Sequence, residues 1–576
     1  MRRYLSVFAI ILFFTITINA QEDNKHYFDI NKNVEVFNSV VKELDLFYVD
    51  SLDVEKTINT GIVNMLAGLD PYTNYITEED MNDFKFMTTG EYAGIGSYVA
   101  ARKIDGEYRV MVTGPYKDKP AAKAGLKDGD IILAVDDVDM TTLTKEENTD
   151  NSNYGNTLTG KVSAKLKGQP GTIVKIKIQR PGEKKTREFK IEREQIQVSA
   201  VQYYGILNNN VGYISFSGFT DRSAQDVKTA FTDLKKQGIT SLIIDIRGNG
   251  GGILEEAVQL VNLFVPKGQV VLSTKGKLKQ MDRVYRTTLA PIDTEIPLAI
   301  LVDRGSASAS EIVSGALQDM DRAVIIGERT FGKGLVQLTR ELPYGGSLKV
   351  TTSKYYIPSG RCIQAIDYTH RNEDGSVGRI PDSLTTVFKT AIGREVRDGG
   401  GIIPDIALKD EKMPSLAYYL VTQYIIFDFA TEWTQKHNTI LPVESFSLTD
   451  EDYNNFKEFV KAKKDFKYDM LSEKTLNSLK EIMEYEGYMD AAGDEYKALE
   501  AKLTPDLDRD LNTFKEDIMQ MLSAEIAKRY YYKEGEIREA LKTDKGVEEA
   551  IKVLTDTEKY KEILSPTKEK KQDEKI

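Results

Sequence analysis

The chain has 576 residues, 41% of them hydrophobic and 29% charged, which implies a folded protein of more than one domain. A net charge of −12 argues against a non-specific nucleic-acid binder, because no overall basic surface offers itself to phosphates. A single cysteine, Cys362, excludes an intrachain disulfide and a thiolate metal cluster; with only His26, His370 and His437 as histidines, no metal or other cofactor is expected.

The N-terminus reads "MRRYLSVFAIILFFTITINAQED". Arg2 and Arg3 precede an apolar stretch from Tyr4 to Ile18, and polar residues follow Ala20. This is a secretory signal pattern, so residues 1–20 are expected to be removed and the protein exported, with a periplasm as the expected compartment. The apolar run falls short of the roughly 20 residues a spanning helix needs. A membrane association is therefore expected only through an uncleaved signal segment.

Residues 21–90 read as helical. Asp53 is the expected cap of a helix whose face carries Val54, Ile58, Ile62, Met65 and Leu66, with Pro71 beyond its end. From 91 to 197 the pattern changes to short strands and glycine turns. "AGIGSYV" is a glycine loop entering a strand, "PAAKAGLKDGDIIL" a small-residue helical turn before a strand, and "KGQPGT" a turn. The polar segment "TLTKEENTDNSNYGN" between them reads as a mobile loop. Leu158, Val162 and Leu166 then recur every fourth position, as on a helix face.

These pieces, in this order, resemble a PDZ domain. On that resemblance Gly94, Ile95, Gly96 and Ser97 form a nest of backbone N–H groups for a peptide carboxylate, and Leu158 and Val162 line the peptide groove.

Residues 198–410 alternate apolar β-branched runs ("NVGYISFSGF", "SLIIDIRG", "PLAILVD", "RAVIIG") with helical stretches, which predicts an α/β core with crossover connections. Residues 411–564 read as a helical extension. Within it Thr449 and Asp452 form an expected capping pair ahead of a face of Tyr453, Phe456, Phe459 and Val460. Residues 565–576 are charged and read as a disordered tail.

The chemistry gathers in "LVDRGSASASEIVSGAL". Ser306, Ser308 and Ser310 lie between a strand end and a helix start, where helix-terminal N–H groups converge. They can act as caps, or one can be a nucleophile. No histidine follows a strand end as an acid–base partner should. A lysine can serve if desolvation lowers its pKa from ~10.4 toward about 7–8. Lys333 in "GERTFGKGLVQ", flanked by Gly332 and Gly334, is the candidate; a surface lysine in a glycine turn is the plainer alternative.

Together these two segments resemble the carboxyl-terminal processing proteases, the S41 serine peptidases with a Ser-Lys dyad. "LDPYTNYI", "IIDIRGNGGG", "YYIPSGRCIQ" and "GGGIIPDI" match as well, over most of 60–410. The resemblance implies Ser308 as nucleophile, Lys333 as base 25 positions on, and Gln337 as the group that orients the amine. It implies a ClpP/crotonase-like protease core. Ala309, directly after the nucleophile, and Gly251 are the expected oxyanion donors, with Gly250 and Gly252 as neighbours; the turn lacks the proline common in the family. Expected partners are protein or peptide substrates with free C-termini, a second copy of the chain, and an adaptor protein. The rival readings are a non-hydrolytic peptide-binding scaffold and a structural envelope protein.

Overall fold

The computed structural model describes residues 2–140, 154–372, 376–409 and 412–566. Most of the polar segment expected to be a mobile loop, and the tail from 567, lie outside the described residues. The chain forms two compact units, residues 1–81 with 337–352, and residues 82–336 with 353–576.

The first unit contains helices Arg2–Phe47 and Val54–Ala67. Asp53 caps the second, accepting the Lys56 N–H at 2.9 Å. The expected apolar face buries Leu66 fully and Val54, Ile58 and Ile62 in part, while Met65 is 66% exposed. After the helix, Asp70 closes a turn by accepting the N–H groups of Tyr72 and Thr73 at 2.8 and 2.9 Å. Strand Asn74–Ile76 then pairs antiparallel with residues 347–349.

The second unit begins with the PDZ module. Strands Ser97–Ile104, Glu107–Pro115, Ile131–Val135, Ile173–Gln179 and Thr186–Glu192 form an antiparallel sheet in that order. Helix Tyr154–Leu166 packs on it through Leu158, Val162 and Leu166.

The α/β core carries a six-stranded sheet ordered Val201–Leu207, Val211–Phe216, Ser241–Asp245, Leu298–Val302, Val324–Gly327, Ile406–Ala407. The first pair is antiparallel and the rest are parallel. Both faces are apolar, as a parallel sheet covered on two sides requires. Ile214, Ile244, Ile300 and Ile325 face helices Ser223–Lys236, Leu254–Asn262 and Ala309–Asp319. Their chain neighbours Tyr213, Ile243, Ala299 and Val324 point the other way. They meet Val547, Ala550, Val553 and Leu554 of helix Lys545–Thr555. The helical C-terminal region thus supplies the second covering layer of the sheet.

The rest of that region has its own core, around Phe429, Phe456, Leu511, Leu522 and Ile526. The capping pair is present: Thr449 and Asp452 exchange hydrogen bonds at the start of helix Asp450–Ala462. Tyr453, Phe456 and Val460 are buried there, and Phe459 in part. The long helix Lys515–Ala540 reaches the PDZ module, where Arg529 lies 3.0 Å from Asp128, the two side chains only 6% and 8% exposed. Arg102 of the PDZ module pairs with Asp428 at 2.6 Å.

Candidate active site

The three serines part company in the structure. Ser306 Oγ donates to the Ile246 carbonyl at 2.8 Å, and Ser310 Oγ to the Asn249 carbonyl at 2.8 Å. Both are buried and fasten the helix entrance to the glycine turn. Ser308 stands between them at the N-cap of helix Ala309–Asp319, half-buried, with φ 56 and ψ −112. A positive φ is unfavourable for any residue with a Cβ, and such strain collects at functional positions. Here it sits at a sharp strand-to-helix turn that presents the hydroxyl. Ala309 follows as the first helical residue, so its N–H has no acceptor within the helix.

Glu311, one turn into the helix, is fully buried and accepts four hydrogen bonds. One carboxylate oxygen takes the Ser308 N–H at 2.9 Å and the Lys333 N–H at 2.8 Å. The other takes the Gly332 N–H at 2.7 Å and the Thr330 hydroxyl at 2.6 Å. Burial pushes its carboxyl above the usual carboxylate range, against the pull of those donors. Phe331 N–H adds a bond to the Ser306 carbonyl at 3.1 Å. The lysine loop and the serine turn are therefore sewn together through backbone. Sequence reasoning missed Glu311, although Ser308-Ala-Ser-Glu311 has the spacing of a capping box.

Lys333 is half-buried. Its flanking glycines are required by close packing. A Cβ on Gly332, at φ 89, would lie 2.3 Å from Ala365 Cβ, and one on Gly334 would lie 2.8 Å from the Gln364 nitrogen. Gln364 Oε1 accepts the Gly334 N–H at 2.7 Å, and Ala365 N–H donates to the Gly332 carbonyl at 2.9 Å. Tyr355, buried behind the site, donates its hydroxyl to the Ser308 carbonyl at 3.3 Å.

The glycine turn closes on the same serine. A Cβ on Gly251, at φ 101, would meet the Ala307 carbonyl oxygen at 2.7 Å, Ser308 Cβ at 2.8 Å and the Ala309 nitrogen at 3.0 Å. The Gly251 N–H donates to Asn249 Oδ1 at 3.0 Å. Asn249, also missed in the sequence, is fully buried and anchors the turn, its Nδ2 on the Phe216 carbonyl at 3.0 Å and its carbonyl accepting the Ala307 N–H at 3.0 Å.

Gln337 belongs to the first unit. Its Nε2 donates to Thr351 Oγ1 at 3.2 Å, and Thr351 Oγ1 in turn lies 3.2 Å from Asp70 Oδ1. His370 is exposed beside Asp367, and His437 stacks on Trp433 at 3.7 Å between ring centroids. Among the described residues no cluster of His, Cys, Asp or Glu could hold a metal ion.

In the PDZ module, Ile95 is buried in the core and Gly96, at φ 74, leaves no room for a Cβ against Lys119. The Ile95 and Gly96 carbonyls accept the N–H groups of Ala121 and Tyr116 at 2.8 and 2.9 Å. Gly94 ends the preceding strand, and Ser97, which opens the next, donates its hydroxyl to the Tyr98 carbonyl at 2.9 Å. Leu158 and Val162 are 2% and 0% exposed and form the module's core. Between them Thr159 Oγ1 accepts the Ala101 N–H from strand Ser97–Ile104 at 3.0 Å.

Known proteins resemble this chain in sequence. A family model described as Peptidase family S41 matches residues 210–370, a PDZ domain model matches 111–147, and one described as "Probable PDZ-protease, C-terminal helical domain" matches 416–554. A carboxy-terminal-processing protease of Bartonella bacilliformis is 34% identical over 370 residues, 64% of this chain and 79% of that protein. The chain belongs to peptidase family S41. Other relatives of this S41 peptidase include probable CtpA-like serine proteases. That of Staphylococcus haemolyticus is 32% identical over 58% of this chain and 63% of its own length, and that of Staphylococcus aureus strain COL 33% over 62% and 70%. The solved photosystem II D1 C-terminal processing protease is 27% identical, covering 65% of this chain and 87% of that one, with a TM-score of 0.33. As an S41 serine-type peptidase with a PDZ domain, the protein acts on protein substrates.

Proposed function

We propose that this S41 peptidase is an exported endopeptidase that cuts protein chains at or near their C-termini through a Ser308–Lys333 dyad. The observation that carries the dyad is the shared Glu311 oxygen, which receives the backbone N–H of both residues at 2.9 and 2.8 Å. In the proposed reaction neutral Lys333 takes the Ser308 proton, and the serine oxygen attacks the scissile carbonyl. The Ala309 N–H stabilises the oxyanion, joined by a donor from the glycine turn; the Gly251 N–H serves only by leaving Asn249 Oδ1. Lys333 then protonates the leaving amine, and water activated by the same lysine releases the acyl-enzyme. The PDZ loop Gly94–Ser97 receives the substrate's terminal carboxylate.

Fluorophosphonate labelling and hydrolysis of an internally quenched peptide with a free C-terminus test this reading. Wild type is expected to label and to cut, Ser308→Ala to do neither, and Lys333→Ala to lose hydrolysis. Labelling of Ser308→Ala equal to wild type would overturn the nucleophile; a wild type silent in both assays would favour a peptide-binding scaffold. Export to a periplasm is supported by the Arg-led apolar N-terminus. N-terminal sequencing of the mature chain from fractionated cells tests it, a start near Gln21 being expected.

A further inference from the structure

The glycine turn beside Ser308 is reached from the C-terminal helices. Arg247 opens the turn, and its guanidinium lies between two carboxylates. Asp245, at the end of its own strand, accepts from Nε at 2.9 Å and from Nη2 at 2.5 Å. Asp544 accepts from Nη1 at 3.1 Å and from Nη2 at 2.7 Å, a two-pronged grip from 297 positions away in the chain. Asp544 is 17% exposed and Arg247 29%. The approach is built for closeness. A Cβ on Gly546 would lie 3.1 Å from Arg247 Nη1.

We infer that Asp544 is a positioning residue for the peptidase site, clamping Arg247 and thereby fixing the glycine turn against Ser308; this rests on the dyad reading above. The path is short and continuous. Gly248 N–H is tied to Asp303 Oδ1 at 2.8 Å, and the Asn249 carbonyl accepts from Ala307 N–H and Ser310 Oγ. Gly251 then faces Ser308 without a side chain. A bidentate carboxylate–guanidinium pair is directional, so it sets where the turn begins as well as holding it. The helical region that covers the sheet also aims the turn that stabilises the oxyanion.

Asp544→Asn tests this cleanly. Asp544 also caps helix Lys545–Thr555, accepting the Val547 N–H at 2.9 Å. Asparagine caps a helix as well as aspartate does. The substitution therefore spares the cap, removes the charge, and turns one acceptor into a donor facing Arg247. Hydrolysis of the quenched peptide, measured well below the variant's own lowered thermal midpoint so that the chain is folded, is expected to show kcat reduced about 10-fold with KM within about twofold. Inhibition by a peptide boronic acid, which mimics the oxyanion adduct, should weaken in step with kcat/KM. Arg247→Lys combined with Asp544→Asn should lose no more than Arg247→Lys alone. Asp556→Asn, which alters the same kind of cap on the next helix, should behave as wild type. Wild-type kcat in Asp544→Asn, or losses that multiply in the double variant, would overturn the inference while leaving the dyad intact. A wild type that neither cuts the peptide nor labels with fluorophosphonate overturns the dyad reading, and this inference falls with it.

Discussion

A single oxygen of Glu311 receives the backbone N–H of Ser308 and of Lys333, at 2.9 and 2.8 Å. All four partners of that carboxylate are donors, so only a group that solely accepts satisfies them. Glu311→Gln sets an amide NH₂ against one pair of donors and leaves them unsatisfied in a buried site, at about 3 kcal/mol. We expect kcat to fall about 100-fold, with a lowered thermal midpoint, read by peptide hydrolysis and calorimetry.

The same residue carries a pH signature. Burial holds its carboxyl above the ordinary value of 4.5. A raised folded pKa means the native state binds the proton more tightly than the unfolded chain. That stabilisation is present below about 4.5 and is lost as pH rises through the raised value. Activity runs the other way, since a protonated oxygen no longer accepts from every donor. Across the window just above 4.5, lowering pH should reduce kcat while raising the stability of wild type relative to Glu311→Gln. Parallel pH profiles of rate and denaturant midpoint check both signs.

Neighbouring glycines of the turn should respond very differently. Gly251→Ala adds a methyl that collides with Ala307 and Ser308 at φ 101, a strain of about 1–3 kcal/mol applied at the proposed nucleophile. Gly250 has nothing within 4 Å of where its Cβ would stand. Gly251→Ala is expected to lose more than about 100-fold in kcat, and Gly250→Ala to keep its stability within about 1 kcal/mol, as measured by urea denaturation.

At the far end of helix Ala309–Asp319, Asp319 forms a buried pair with Arg361 at 2.8 Å, the two side chains 0% and 1% exposed. Arg361 also donates to Gln318 Oε1 at 2.8 Å and to the Arg397 carbonyl at 3.0 Å. Removing one partner leaves an uncompensated buried charge, so Arg361→Ala should cost about 3–5 kcal/mol. Differential scanning calorimetry would show the loss as a lowered thermal midpoint.

Truncation before Lys545 should uncover Tyr213, Ile243, Ala299, Leu301 and Val324 together. A contiguous apolar patch of that kind drives association. The shortened chain is expected to aggregate, seen as scattering at concentrations where the full chain stays clear.

Much of this was legible in the residues because local rules sufficed. Asp53 and Thr449 announce helix starts by composition, and the β-branched runs announce core strands. The serine turn and FGKG loop carry their proposed roles in short, dense motifs, and the structure brings the two segments together on Glu311. What was not legible depends on distant pairs. Nothing in "RGNGGG" says that its arginine meets Asp544, or that Asn249 would occupy the Gly251 N–H. Leu158 and Val162 have the spacing of a groove lining and equally that of a core stripe; periodicity gives the face, not what the face meets. Met65 fits its helix stripe and is nonetheless exposed, since a stripe is buried only where another element covers it.

Arg529 and Asp128 meet where the long C-terminal helix touches the PDZ module, both almost stripped of solvent. Ions drawn out of water regain their hydration when they separate, which offsets much of the attraction they give up. The net hold of that pair is therefore smaller than its 3.0 Å separation alone suggests. The loop Gly94–Ser97 belongs to the module that this seam joins to the C-terminal helices, so its placement depends in part on a pair of ions held out of water.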